Sequence, residues 1–101
     1  MRIIFTVEAK RDLDDLRAFL EPLSPAGLAN VVAALEARIL QIEANPRIGR
    51  PTPRADVREV IEAKYGFLIP YLIKGEALFI LRVYRARRRP LDYVGMELPS
   101  G

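Results

Sequence analysis

"YGFLIPYLIKGEALFILRVYR", residues 65–85, decides how this chain folds. The runs "YGFLIPYLI" (65–73) and "ALFILRVYR" (77–85) are rich in β-branched and aromatic residues, the composition of strands. Between them stands Lys74–Gly75, and glycine readily takes the positive φ of a tight hairpin turn. The two runs therefore predict an antiparallel hairpin. Pro70 interrupts the pattern. It has no N–H to give a ladder, so the strand is expected to be bulged there or to lie locally at an edge.

Upstream, "VREVIEA" (57–63) reads as a further strand, and "NPRIGRPTPRAD" (45–56) as a loop stiffened by proline. Before the loop the period changes from two to about 3.6. Ala9, Leu13, Leu16 and Leu20 recur at helical spacing, with Thr6 placed as N-cap and Glu8 in the first turn. Pro22 and Pro25 end this helix, and Ser24–Pro25 restarts one as N-cap and first helical residue. The second helix is expected from Pro25 to Ala44, with Leu28, Val31, Val32, Leu35, Ile39 and Ile42 as its apolar stripe. "RIIFTV" (2–7) is an opening strand. The order strand, helix, helix, strand, strand, strand predicts an α+β fold with a helical hairpin on one face of a mostly antiparallel sheet. The 101 residues suffice for a single domain. The tail from residue 91 is expected to be extended or frayed.

Composition narrows the chemistry. The chain has no cysteine and no histidine. Thiolate chemistry and a disulfide framework are excluded, and the commonest general base and metal ligand are missing. No metal and no cofactor are expected. No apolar run approaches the ~18 residues that span a bilayer, and the apolar core of the first ten residues is too short for a signal peptide. A cytoplasmic protein with no membrane association is the expectation. The net charge is +3, unevenly spread: residues 47–89 carry eleven basic and four acidic side chains, and both flanking segments are net acidic.

Five of the eight residues from Arg82 to Arg89 are arginine. Along a strand alternate residues share a face, so Phe79, Leu81 and Val83 are assigned to one face and Leu78, Ile80, Arg82 and Tyr84 to the other. With the helices over the first face, Arg82 and Tyr84 lie on an open one, within reach of Arg50, Arg54 and Arg58. Such a face, with Tyr65, Tyr71 or Tyr84 nearby, suits a polyanion or nucleic acid. A solvated strand end that discourages edge pairing is the simpler alternative. Catalysis is harder to assemble. Cleavage of RNA needs a proton acceptor, a proton donor and a cation on the phosphate, and arginine supplies only the last. Arg87 with Tyr93 is the pair that position singles out, with Lys64, Glu59 and Glu62 as further candidates. Glu59 and Glu62 fall on opposite faces of a regular strand and do not form a carboxylate pair.

Taken in order, Thr6-x-x-Ala9 with Asp12–Leu13, "PRIGRP" (46–51), "VRE" (57–59), "YGFLIPY" (65–71) and "ILRVYRARRRP" (80–90) resemble the RelE/ParE family of toxins from bacterial type II toxin–antitoxin pairs. Each motif alone is weak; their order and spacing are specific, from about Ile3 to Pro90. The resemblance implies the same fold, a helical hairpin against a small curved antiparallel sheet. RelE-like members cut messenger RNA at the ribosome with basic residues and a C-terminal tyrosine, which here implies Arg87, Tyr93 and Lys64. ParE-like members bind and poison DNA gyrase and need no nuclease residues. "GRP…VRE" and "ILRVYRARR" look more like the ParE branch, so a binding toxin is expected, with no catalytic residue. Its target-binding surface would be Arg82, Arg85, Arg87, Arg88 and Arg89. The resemblance also implies a cognate ParD-like antitoxin. That partner would dock in the apolar grooves beside the helix pair, at Leu13, Leu16, Leu20, Arg58, Tyr71 and Tyr84.

Overall fold

The computed structural model describes residues 1–100. The elements are β1 (Arg2–Phe5), α1 (Val7–Leu20), α2 (Pro25–Ala44), β2 (Arg50–Pro51), β3 (Val57–Glu62), β4 (Phe67–Lys74), β5 (Ala77–Ile80) and β6 (Tyr84–Arg85). The strands form one sheet in the order β1-β5-β4-β3-β2, and β6 pairs with β4 beyond the end of β5. Every pairing is antiparallel except β1 beside β5. That parallel pair follows from the helical hairpin, which carries the chain away from β1 before β2 begins.

Local chemistry places the helix ends. The Thr6 side chain accepts from Ala9 N–H at 3.1 Å and the Ser24 side chain from Gly27 N–H at 2.9 Å. Each satisfies a donor with no partner inside its helix. Between β4 and β5 the loop is Gly75–Glu76, with Lys74 opposite Ala77 and Gly75 at φ 60. This is the primed two-residue hairpin turn that the strand twist favours.

The sheet buries both faces. On one side Ala9, Leu16, Val31, Leu35, Ile39 and Ile42 of the helices pack on Val60, Phe67, Ile69, Tyr71, Leu78 and Ile80. On the other side Tyr93, with Leu91, Met96 and Leu98 beside it, packs on Val57, Leu72, Ala77, Phe79 and Leu81. Two expectations are thereby corrected. The helices cover the Leu78/Ile80 face, not the Phe79/Leu81 face. The opposite face is not open: the tail from Leu91 lies across it, because its alternating apolar residues cover sheet surface that water would otherwise meet.

The run 77–85 is also broken. Tyr71 pairs with Ile80 and Leu68 with Tyr84, so Leu81, Arg82 and Val83 together face only Ile69 and Pro70. One residue is extra, the signature of a β-bulge. Leu81 N–H donates to the Pro70 carbonyl at 2.9 Å. The nitrogen and carbonyl of one strand residue point to the same side, so the donor that Pro70 lacks falls where the ladder is interrupted. The strand that carries Pro70 is itself unbroken and interior to the sheet, so the expected irregularity falls on the facing strand instead. Its consequence for alternation was not foreseen: Leu81 packs with the tail, whereas Val83 turns into the helix-side core.

Candidate functional site

The bulge positions the arginines. Its backbone groups leave the sheet, and α1 supplies their partners. Thr6 Oγ1 donates to the Leu81 carbonyl at 2.9 Å. Asp12 accepts from Arg82 Nε at 2.7 Å, from Arg82 Nη2 at 2.9 Å and from Val83 N–H at 2.9 Å. One carboxylate thus takes a bidentate guanidinium and a backbone donor, the strong geometry for such a pair. The Asp12 hydrogen bond holds the Arg82 guanidinium even more firmly protonated than usual, against the opposing effect of burial. Arg82 was expected on an open face; it is instead half-buried against α1, because it continues the Leu78/Ile80 side of the strand, which the helices cover.

Beyond the bulge the chain delivers its remaining positive charge. Arg85 stacks over the Phe67 ring at 4.9 Å. Tyr84, under the Arg82 guanidinium at 5.0 Å, donates its hydroxyl proton to the Arg89 carbonyl at 2.6 Å. Arg87, Arg88 and Arg89 are exposed. Between this strand end and α1 runs a groove of about 320 Å³, whose walls include Leu16 and Phe19 on one side and Arg85, Arg87 and Arg88 on the other. Phe19 is 62% exposed at its lip. An apolar lip facing a row of guanidinium groups can hold an amphipathic, acidic protein segment.

A second polar constellation lies under the tail. Tyr93 is 8% exposed, and its hydroxyl donates to the Glu59 carboxylate at 2.5 Å. The other oxygen of Glu59 accepts from Arg50 Nε at 3.0 Å. Burial first, then the bond to Glu59 and its charge, hold the Tyr93 hydroxyl far above the ordinary phenol value; Arg50 opposes them weakly. Arg54 fixes the tail from the side. Its Nη1 donates to the carbonyls of Tyr93, Val94 and Met96 at 2.9, 2.8 and 2.9 Å.

The sequence-derived residues fall in different places. Arg82, Tyr84, Arg85, Arg87 and Arg88 gather around the α1 groove, joined by Leu16. Leu13 and Leu20 pack against the helix-side core. Tyr71 is 1% exposed, and its hydroxyl donates to the Pro46 carbonyl at 2.6 Å and accepts from Gly49 N–H at 2.9 Å. It braces the proline loop and offers little surface. Burial raises its hydroxyl above the ordinary value as well. Arg58 donates to the Gly49 carbonyl at 2.7 Å, on the same loop. Arg50, Arg54 and Arg58 therefore do not join Arg82. Lys64 sits in the β3–β4 turn over the Tyr65 ring, at 5.4 Å. Tyr93 packs from the tail onto one face of the sheet and Arg87 lies beside α1 on the other, so the sheet separates the pair that spacing had matched. Glu62, expected to oppose Glu59, caps its own turn by accepting from Lys64 N–H and Tyr65 N–H.

Asp12, Glu59 and Arg54 organise these sites in ways that residue spacing did not indicate: Glu59 stood only as a catalytic candidate, Arg54 only as a neighbour of the Arg82 face, and Asp12 only as part of a motif. A carboxylate inside the apolar run "VREVI" was the available signal for Glu59. Among the described residues no cluster of His, Cys, Asp or Glu is arranged to hold a metal, and no helix is long and apolar enough to cross a membrane.

The chain matches known proteins over the segment that builds this architecture. A candidate toxin of Sinorhizobium fredii, Y4kP, is 33% identical over 88 residues, covering 87% of this chain and 91% of that protein. A chain of the chromosomal ParDE toxin–antitoxin system from P. aeruginosa superposes with a TM-score of 0.73 at 26% identity, over 86% of this chain and 97% of that one. The E. coli RelBE toxin–antitoxin complex gives a TM-score of 0.59 at 18% identity, covering 86% and 98%, which is a likeness of fold. Residues 3–90 match the model of the ParE toxin of the type II toxin–antitoxin system parDE. The segment that carries the Thr6 and Asp12 clamps, the bulge and the arginine strand end is the segment the family model describes, and the chain belongs to the ParE toxin family.

Proposed function

We propose that this ParE-family toxin acts by binding DNA gyrase through its arginine-bearing strand end, and that a cognate antitoxin neutralises it. The observation that carries the reading is the state of Tyr93. A nuclease would need that hydroxyl free to exchange a proton near a phosphate. Here it is buried between the tail and the sheet and committed to Glu59, and burial raises it still further above neutral pH. Arg87, its expected partner, faces the α1 groove on the other side of the sheet. The exposed Arg87, Arg88 and Arg89 remain available for a macromolecular target, held at a defined site by the Asp12 clamp. For the antitoxin, the α1 groove offers an apolar lip and a basic wall, and long-range charge would speed capture of an acidic chain.

The test pairs two assays on the purified toxin. Inhibition of gyrase supercoiling with intact message on translating ribosomes is expected. Charge reversal at Arg87, Arg88 and Arg89 together should lower inhibition at least tenfold while leaving the fold unchanged. Ribosome-dependent cleavage of messenger RNA, lost in Tyr93→Phe, would replace this reading with the endoribonuclease alternative.

A further inference from the structure

We propose a second docking site, for an acidic peptide segment, in the basic groove where the proline loop enters β3. The groove encloses about 470 Å³, and Arg47, Arg54 and Arg58 line it together with Pro46, Tyr71 and Ile73. It is separate from the α1 groove and shares no lining residue with it.

The arginines of the molecule are held in two different ways. Among the described residues the ion pairs are Arg50–Glu59 and Arg82–Asp12. Those two guanidinium groups are neutralised by carboxylates. Arg54 and Arg58 are fixed just as firmly, but by neutral acceptors: Arg54 by three tail carbonyls and Arg58 by the Gly49 carbonyl. A carbonyl orients a guanidinium without cancelling its charge. Both cations are therefore pre-organised and electrostatically unsatisfied, which lowers the entropic cost of receiving an anion. Arg47 adds an exposed third charge whose side chain makes no hydrogen bond or ion pair. Asp56, also on the lining, is the sole carboxylate there and pairs with none of them.

The walls decide which anion. Single-stranded nucleic acid is commonly held on exposed aromatic faces. Tyr71 is buried and its hydroxyl is already used twice, so no stacking platform is offered. Proline and isoleucine surfaces beside fixed guanidinium groups suit a peptide that alternates carboxylates with aliphatic side chains. The site deepens the proposal of neutralisation by a protein partner, and it stands or falls independently of gyrase.

The probe is a short fluorescent peptide of alternating glutamate and leucine, titrated with the full chain and followed by anisotropy. Binding is expected to weaken with added salt. Replacing its glutamates by glutamine should weaken it at least tenfold, and so should Arg47→Glu in the protein. Arg47→Glu removes no intramolecular bond and should leave the fold intact; Arg58→Gln is the second variant, checked by circular dichroism. Equal binding of the two peptides, or binding unaffected by both variants, overturns the site. Labelled oligothymidylate bound more tightly than the glutamate peptide, and lost in Arg47→Glu, overturns it in favour of a nucleic-acid groove. Absent peptide binding with gyrase inhibition intact sinks this site alone. Lost gyrase inhibition with peptide binding intact sinks only the target.

Discussion

Tyr93 shows how a single residue changes meaning with its surroundings. In the sequence it is an amphipathic side chain at a suggestive distance from Arg87. In the fold its hydroxyl satisfies a buried carboxylate. Removing that hydroxyl leaves one Glu59 oxygen without its donor, so Tyr93→Phe should cost about 1–3 kcal/mol near neutral pH, the usual penalty for such an orphan. The same residue sets an alkaline limit. Its folded value is raised above the ordinary 10.0, so as pH climbs past that value the unfolded chain loses the proton while the folded chain keeps it. The folded state then binds more protons, and stability falls as pH rises. Urea titrations from about pH 7 to about pH 11 should show that decline, and Tyr93→Phe should flatten it. Some slope should remain, since burial raises Tyr71 in the same direction. A decline of unchanged steepness in the variant would show that Tyr93 does not control it. Asp12 illustrates the converse. The motif in which it stands was readable, but its task of binding Arg82 and Val83 across the molecule depends on the bulge.

At the scale of elements, the regular parts followed from periodicity and punctuation. Ser24–Pro25 and Asn45–Pro46 fixed α2 at Pro25–Ala44, and Thr6 fixed the start of α1, because capping is a local property. The last strand was the exception. Its division into β5 and β6 depends on the residue it faces, Pro70, eleven positions before Leu81 in the chain, and on side chains of α1. The loop before β3 makes a separate test. A Cβ added at Gly49 would lie 2.6 Å from the Tyr71 ring and hydroxyl and 3.0 Å from the Glu59 carbonyl. Gly49→Ala should therefore displace the brace between loop and sheet and cost about 1–3 kcal/mol, as overpacking of a filled site does. Thermal unfolding would check it. An unchanged midpoint would mean that the loop yields freely and that Tyr71 does not anchor it.

At the scale of the whole molecule, the tail completes the protein. Leu91, Tyr93, Met96 and Leu98 cover the sheet face that the helices leave bare. The tail belongs to no sheet ladder, so side chains hold it: the apolar contacts, the Tyr93–Glu59 bond and the Arg54 clamp. Arg54→Ala removes three charge-assisted bonds to its backbone. Chymotrypsin should then cut near Tyr93 and Met96 about tenfold faster or more, while the helices and sheet remain protected, since local opening follows the local contacts. Cleavage at the parental rate would assign the tail's order to the apolar contacts alone.

The α+β order, the helix limits, the hairpin at Gly75 and a disturbance near Pro70 could be read from residue order alone. Caps, turns and periodicity act within a few residues and need no distant partner. The resemblance to toxins of the RelE/ParE family was legible for a related reason: its motifs are the residues that make these local features and the clamps between them. Long-range packing sets which sheet face the helices take, covers the other with the tail, and commits Arg82 and Tyr93 to Asp12 and Glu59. Strand alternation says which residues share a face, but it cannot say which face is covered, and one extra residue in a bulge reverses it. The arginine run was written in the sequence as charge. Which of those charges remain free was settled by the Asp12 carboxylate and the Phe67 ring, brought from elsewhere in the chain.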